Sequence, residues 1–164
     1  MPGRRSAGPR GDAPSGTARA AALRLLGRRD YTTAELRTRL LKRGFGPEEV
    51  ARALETLVAE RLADDRRAAQ THIRTGIRIK GRGRYRLQRE LEARGIDAGL
   101  VSDLIAELDD ADELAAVAQV LARKRPKGPL SMADRRRLFQ QLLRRGFPAD
   151  VIARAVKGTP PDDD

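Results

Sequence analysis

The stretch Leu40-Leu41-Lys42-Arg43-Gly44-Phe45 decides the fold, because related hexapeptides return as Leu91-Glu92-Ala93-Arg94-Gly95-Ile96 and as Leu142-Leu143-Arg144-Arg145-Gly146-Phe147. The copies start at positions 40, 91 and 142, so the period is 51 residues. Apolar residues on both sides keep the same step: Leu36, Leu87 and Leu138; Val50, Val101 and Ile152; Leu54, Ile105 and Val156. A repeat of this kind predicts tandem copies of one small structural unit.

The Arg-Gly-apolar ending of each copy predicts how a helix stops. Glycine adopts the left-handed conformation after a helix without steric cost, and the next apolar residue reaches back to the last turn, as in a Schellman motif. We therefore expect structural turns at Gly44, Phe45, Gly95, Ile96, Gly146 and Phe147.

The composition favours helices. Aromatic residues make up 3% of the chain and Trp is absent, so Leu, Val, Ile and Ala must form the core, which suits helices better than sheets. We predict an all-α fold of three tandem three-helix units in an elongated, curved array. The predicted boundaries are 1–17 for a disordered basic tail, 18–62, 63–108 and 109–157 for the three repeats, and 158–164 for a disordered acidic tail.

Several residues mark helix starts rather than a catalytic site. Thr32 precedes Glu35 at the spacing of a capping box, and Ser131 precedes Asp134 in the same way. Paired acids also fall at predicted helix starts, where carboxylates complement the helix dipole, so we do not interpret them as acid–base pairs. These pairs are Glu48-Glu49, Asp64-Asp65 and Asp109-Asp110.

The sequence argues against several functional classes. It has no cysteine and a single histidine, His72, so thiol chemistry and the common zinc sites are excluded and His72 is expected to be a packed or interfacial side chain. No apolar run is long enough for a transmembrane helix or a signal peptide. We expect a cytoplasmic, monomeric protein without catalytic residues, metal or cofactor.

The charge is unevenly distributed. The formal net charge is +11, which favours an acidic partner such as nucleic acid. Basic residues concentrate in 66–94 and 123–145, whereas 95–122 carries seven acidic residues and no basic one. Such blocks indicate separate charged faces.

The candidate site is a basic stretch with a glycine-rich and, we expect, flexible turn at 80–84. Arginine suits bidentate binding of phosphate or carboxylate, and we predict partner or DNA-phosphate contacts from Arg74, Arg78, Lys80, Arg82, Arg84, Arg86 and Arg89, and secondarily from Arg135, Arg136 and Arg137. The Gly-x-Gly in the turn lacks the rest of a nucleotide-binding fingerprint. The helices after the repeated turns are acidic or neutral, unlike DNA-recognition helices.

Two segments resemble the RecX regulatory proteins. The first is Leu25-Leu26-Gly27-Arg28-Arg29-Asp30-Tyr31-Thr32-Thr33-Ala34-Glu35-Leu36, followed by the stretch from Leu40 to Phe45. The second runs from Leu62-Ala63-Asp64-Asp65-Arg66-Arg67 through Lys80-Gly81-Arg82-Gly83 to Gly95-Ile96. The resemblance extends over residues 18–157. It departs at Ala68 and His72, where the family commonly has aromatic residues.

The resemblance implies a non-enzymatic regulator that binds the RecA recombinase or the RecA–DNA filament and inhibits recombination in DNA repair and the SOS response. It implies single- or double-stranded DNA as a weak partner or as part of the filament. A direct DNA-binding module that does not depend on RecA is the alternative. On the first interpretation, charge reversal at Arg82 and Arg84 is expected to weaken inhibition of RecA without unfolding the protein.

Overall fold

The computed structural model describes residues 15–124 and 130–157. Residues 1–14 of the predicted N-terminal tail, residues 125–129 and the predicted C-terminal tail lie outside the described residues. Within those ranges the chain forms nine helices and no strand: α1 (Ala18–Leu26), α2 (Thr33–Lys42), α3 (Pro47–Ala59), α4 (Asp65–Arg78), α5 (Arg84–Ala93), α6 (Ala98–Ala106), α7 (Asp110–Lys124), α8 (Met132–Arg144) and α9 (Ala149–Lys157). The all-α prediction, with three helices to each repeat, is confirmed.

The chain divides after Asp64 into two compact units. The first unit contains α1, α2 and α3, which pack pairwise around their own core. Its buried side chains are Ala18, Ala21, Ala22, Leu25, Tyr31, Leu36, Leu40, Phe45, Val50, Ala53, Leu54, Leu57 and Ala63. The first repeat is therefore a separate three-helix unit with a core dominated by Leu and Ala.

The second unit contains the second and third repeats, whose six helices bury one continuous core. Contacts between α4 and α7 join the two repeats, and α7 packs on α9. The core is formed by Ala69, Ile73, Ile77, Leu87, Leu91, Ile96, Val101, Leu104, Ala116, Val117, Val120, Leu142, Phe147, Val151 and Ile152. Repeats two and three thus share apolar surface.

The three predicted helix stops are confirmed. The glycines at 44, 95 and 146 have φ of 90°, 78° and 87°. After each, the apolar residue donates its N–H to the carbonyl five positions back, at 3.3 Å in all three copies: Phe45 to Leu40, Ile96 to Leu91 and Phe147 to Leu142. The glycine N–H of each copy donates to the carbonyl three positions back, at 2.9 Å. These are the two hydrogen bonds of a Schellman motif.

The predicted caps also form. Thr32 Oγ1 accepts from the Glu35 N–H at 3.1 Å, and Glu35 Oε2 accepts from the Thr32 N–H at 3.0 Å. Ser131 Oγ accepts from the Asp134 N–H at 3.1 Å. Because Ser131 lies one turn before the position equivalent to Thr32, α8 has 13 residues whereas α2 has 10. No helix in the described ranges is long and apolar enough to cross a membrane.

Candidate functional site

The basic stretch covers the C-terminal half of α4, the turn at 79–83 and the start of α5. The structure separates its cations by exposure. The exposed ones are Arg74, Arg78, Lys80 and Arg89. The half-buried ones are Arg82, Arg84 and Arg86. Their surroundings determine which of them can meet an outside partner.

The turn between α4 and α5 is held by the third repeat. The N–H of Gly83 donates to the carbonyl of Arg145 at 2.9 Å. Nη1 of Arg145 in turn donates to the carbonyls of Lys80 at 3.0 Å and Gly81 at 3.1 Å. The expectation of a flexible turn is therefore wrong: backbone groups that looked free in the sequence are tied to the end of α8.

Two glycines allow this close approach. A Cβ on Gly83 would lie 2.3 Å from both the Gly146 carbonyl oxygen and the Phe147 nitrogen, and a Cβ on Gly146 would lie 2.4 Å from the Arg86 nitrogen. Tyr85 uses the space by donating its N–H to the Gly146 carbonyl at 3.1 Å. The third copy of the repeated turn therefore also serves as a docking surface for the second repeat.

Arg84 pairs with acidic groups of α7. Its Nε lies 2.5 Å from Glu113 Oε2 and its Nη2 lies 2.8 Å from Asp110 Oδ1. Glu113 is fully buried, and its Oε1 also accepts the Arg84 backbone N–H at 2.8 Å. Burial by itself would lower the pKa of Arg84, but the hydrogen bonds and charges of Glu113, and then of Asp110, outweigh it and raise that pKa. Arg84 is therefore held as a cation inside the fold.

Glu90 collects the remaining half-buried cations. Its Oε2 lies 2.7 Å from Arg82 Nη1 and 2.9 Å from His72 Nε2, and its Oε1 lies 2.9 Å from Arg86 Nε. Burial would raise the pKa of Glu90, but the hydrogen bonds from Arg86 and His72 and the charges of Arg82 and His72 lower it. His72, predicted to be a packed or interfacial side chain, is half-buried.

The exposed cations have a different environment. Within the described residues, no carboxylate lies within ion-pair distance of Arg74, Arg78 or Lys80, and Arg89 donates its Nε only to the backbone carbonyl of Tyr85 at 3.3 Å. Exposed cations without an internal partner can bind phosphate or carboxylate without first breaking a bond.

Arg74 and Arg78 also line a groove of about 220 Å³ in the second unit. Ile73, Ile77 and Leu104 contribute apolar lining, and Glu107 and Asp112 contribute acidic groups. Glu107 is paired with Arg66 at 2.6 Å. The two arginines therefore lie beside an apolar depression.

The secondary candidates lie at the start of α8. Arg136 and Arg137 are exposed and Arg135 is half-buried. Arg137 Nη1 is 3.9 Å from Asp134 Oδ1, a loose pair. These three arginines lie on α8, whereas the main basic stretch lies on α4, α5 and the turn between them.

Sequence reasoning missed the residues that position the turn, namely Glu113, Asp110 and Arg145. A signal for Glu113 was present, since it stands one helical turn before Ala116 and Val117 on the apolar stripe of α7. An acid on a buried stripe requires a cation partner. Arg145, within the repeated turn, had no comparable signal.

Comparisons with known proteins agree with this architecture. Three family models match the chain in order. The model described as RecX, first three-helix domain, matches residues 18–57, the model of the RecX second three-helix domain matches residues 64–105, and the model of the RecX third three-helix domain matches residues 110–156.

Relatives matched over most of their length, and solved structures, also agree with this architecture. The regulatory protein RecX of Halorhodospira halophila is 37% identical over 155 residues, covering 93% of this chain and 94% of the relative. That of Chromobacterium violaceum is 36% identical over 146 residues, covering 88% and 92%. A crystal structure of RecX from Lactobacillus salivarius superposes with a TM-score of 0.76 at 20% identity, covering 86% of this chain and 93% of that one, which supports the fold. The chain therefore belongs to the RecX family.

Proposed function

We propose that this chain is a regulator that binds the RecA–DNA filament and restrains RecA activity in DNA repair and the SOS response. The relatives are named regulatory proteins, and RecA is the partner implied by the family resemblance. In this proposal the protein works in the cytoplasm as a monomer, by binding rather than by catalysis.

The observation that carries the proposal is the set of exposed, internally unpaired cations on one fixed turn and its flanking helices. Arg78 and Lys80 precede the turn and Arg89 follows it on α5. A RecA–DNA filament offers phosphates and protein carboxylates, which both suit guanidinium and ammonium groups. The arginines at 135–137 supply a second basic surface on α8.

The internal ion pairs change the role proposed for the half-buried cations. Arg84 is engaged by Glu113 and Asp110, and Arg82 by Glu90. We assign Arg82, Arg84 and Arg86 to holding the turn in place, and Arg74, Arg78, Lys80 and Arg89 to contact with the partner. Charge reversal at Arg84 would therefore disrupt internal ion pairs and change the stability of the fold, so it is not a clean test of partner binding.

The deciding experiment is a DNA-dependent RecA ATPase assay into which this protein is titrated. We expect the wild type to inhibit at a ratio well below one molecule per RecA subunit. The variant Arg78→Glu/Lys80→Glu should need at least about tenfold more protein, because a charge-assisted hydrogen bond to the partner contributes about 1.5 kcal/mol or more.

The matched control is Arg37→Glu/Lys42→Glu, which makes the same change in net charge on exposed residues of α2. It should inhibit like the wild type. Equal loss in both variants would attribute the effect to net charge, and full inhibition by a folded Arg78→Glu/Lys80→Glu protein would exclude this surface.

Direct DNA binding without RecA is the second candidate, favoured by the same exposed cations. If that is the main function, the logarithm of the DNA affinity should fall with the logarithm of salt concentration at a slope near −5 for about six phosphates. Weak DNA binding combined with tight binding to the RecA–DNA filament would reject it.

A further inference from the structure

Tyr85 differs from the other aromatic residues of this chain by its exposure. Tyr31, Phe45 and Phe147 are 7%, 5% and 1% exposed, and Phe139 is partly buried against the core. Tyr85 is 55% exposed. Its ring therefore contributes little to the core and is accessible to a partner.

The backbone beneath Tyr85 is fixed although its ring is exposed. Its N–H donates to the Gly146 carbonyl at 3.1 Å, and its own carbonyl accepts from Arg89 Nε at 3.3 Å. A ring on an anchored backbone has only two side-chain torsions to lose on binding, so it loses little conformational entropy.

Cations precede and follow Tyr85 along the chain. Arg89 follows Tyr85 by four residues and shares its face of α5. Earlier in the chain, the backbone of Lys80 is tied to Arg145, whose Nη1 donates to the Lys80 carbonyl, while the adjacent Gly146 accepts from the Tyr85 N–H. Arg78 and the 67% exposed Ile79 immediately precede Lys80. The exposed ring therefore belongs to a segment, 78–89, that also carries exposed cationic and apolar side chains.

The scaffold does not require this ring. The 51-residue step places Ala34 at the equivalent position of the first repeat and Arg136 at that of the third. All three positions lie in the middle helix of their repeat. Tyr85 is thus a feature of the second repeat alone.

We propose that Tyr85 stacks on an unpaired base of single-stranded DNA while Arg78, Lys80 and Arg89 bind the phosphates beside that base. Aromatic rings bind exposed bases by stacking, and neighbouring cations follow the backbone. The exposed cations of the same segment favour a polyanion over an apolar protein surface. The inference rests on the proposed function and deepens it by naming the group that the basic turn receives.

The first test measures binding of the purified full chain to a single-stranded thymidine oligonucleotide of about 15 nucleotides, without RecA. Tyr85→Ala should weaken binding roughly tenfold, and Tyr85→Phe, which keeps the ring, should bind like the wild type. The salt slope should be the same for all three proteins, because no phosphate contact changes. An abasic oligonucleotide of equal length should bind the wild type and Tyr85→Ala equally.

A second test places a reporter at the ring. The chain has no tryptophan, so Tyr85→Trp creates a single one at this position. Its fluorescence should be quenched by the thymidine oligonucleotide and far less by the abasic one. Ala34→Trp, at the equivalent position of the first repeat, is the control and should respond to neither.

Equal affinity of Tyr85→Ala and wild type for the thymidine oligonucleotide would overturn the inference, as would equal quenching by both oligonucleotides. Loss of RecA inhibition in Tyr85→Ala with unchanged oligonucleotide binding would also overturn it, by assigning the ring to a protein surface, and would leave the proposed function standing. Conversely, base-dependent binding in a protein without effect on RecA would support stacking and reject the proposed function.

Discussion

The middle helices of the first and second repeats begin at equivalent positions but are capped in different ways. Thr32 and Glu35 cap α2 with their own side chains. The equivalent of Thr32 is Gly83, which makes no side-chain cap. Instead Glu113, from the third repeat, accepts the N–H of Arg84. The start of α2 is capped by residues of its own repeat, whereas the start of α5 depends on Glu113 of the third repeat.

The difference shows how a copied unit acquires a new role. Replacing a capping residue by glycine costs an isolated helix little, up to about 1 kcal/mol. In the second repeat it permits the close approach of α5 to the Gly146 turn. The result is a fixed basic loop, which the first repeat does not have. At the start of α5, glycine therefore gives up a side-chain cap and allows close packing against the Gly146 turn.

The largest expected effect comes from removing the cation paired with Glu113. Arg84→Ala leaves a buried carboxylate without its partner and should destabilise the second unit by about 3–5 kcal/mol. Hydrogen exchange of α5 amides should rise strongly while that of α2 amides stays constant. The double variant Arg84→Met/Glu113→Gln, which removes both charges and keeps an acceptor for the backbone N–H, should recover most of the loss. Unchanged α5 exchange in Arg84→Ala would show that the pair is dispensable.

A reciprocal exchange of the two capping residues should have the next largest effect. Gly83→Thr introduces the capping side chain of the first repeat, but its Cβ meets the Gly146 and Phe147 backbone, so we expect a loss of about 3 kcal/mol. Thr32→Gly should cost only about 1 kcal/mol. The two variants can be compared by urea unfolding monitored by circular dichroism, and by hydrogen exchange of the amides of α2 and α5. Equal costs would mean that the two helix starts are equivalent after all.

The smallest expected effect is on acid stability. Because the pKa of Glu90 is lowered in the folded protein from its ordinary 4.5, the folded state binds that proton less readily than the unfolded chain. The stabilisation from the Glu90 carboxylate is complete above about pH 4.5 and is lost as the pH falls through the lower pKa of Glu90 in the folded protein. Between pH 6 and pH 3, the free energy of unfolding in urea should fall more for the wild type than for Glu90→Gln. An equal loss of unfolding free energy in both proteins would indicate that the contacts of Glu90 with Arg82, Arg86 and His72 do not contribute to acid stability.

Features set by neighbouring residues could be predicted from the sequence. The Schellman turns depend on a glycine and an apolar residue within six positions, and the capping box at Thr32 and Glu35 spans four. Such short-range hydrogen bonds are encoded by residue type and spacing, so a pattern repeated three times identified them. The all-helical class followed from the same local preferences.

Features that depend on distant partners could not be predicted. The Arg84–Glu113 pair joins residues 29 positions apart, one at the start of α5 and the other in the first turn of α7, which meet only in the folded second unit. The flexible-turn expectation failed for the same reason, since its hydrogen-bond partners follow far along the chain. Even a local motif can escape detection: α3 ends in a left-handed residue, Arg61 with φ of 57°, where the sequence offers no glycine.

The hydrogen bonds from Arg145 to the basic turn also have a consequence for the order of events during synthesis. Arg145 follows Lys80 by 65 residues, so at about 5–20 residues per second the ribosome delivers it several seconds later. Until then the turn lacks the hydrogen bonds from Arg145, although Glu113 follows Arg84 by only 29 residues. A nascent or truncated chain can therefore complete the first unit while its basic surface is still unformed. The ability to bind an acidic partner in the proposed way then arises only after the third repeat has folded.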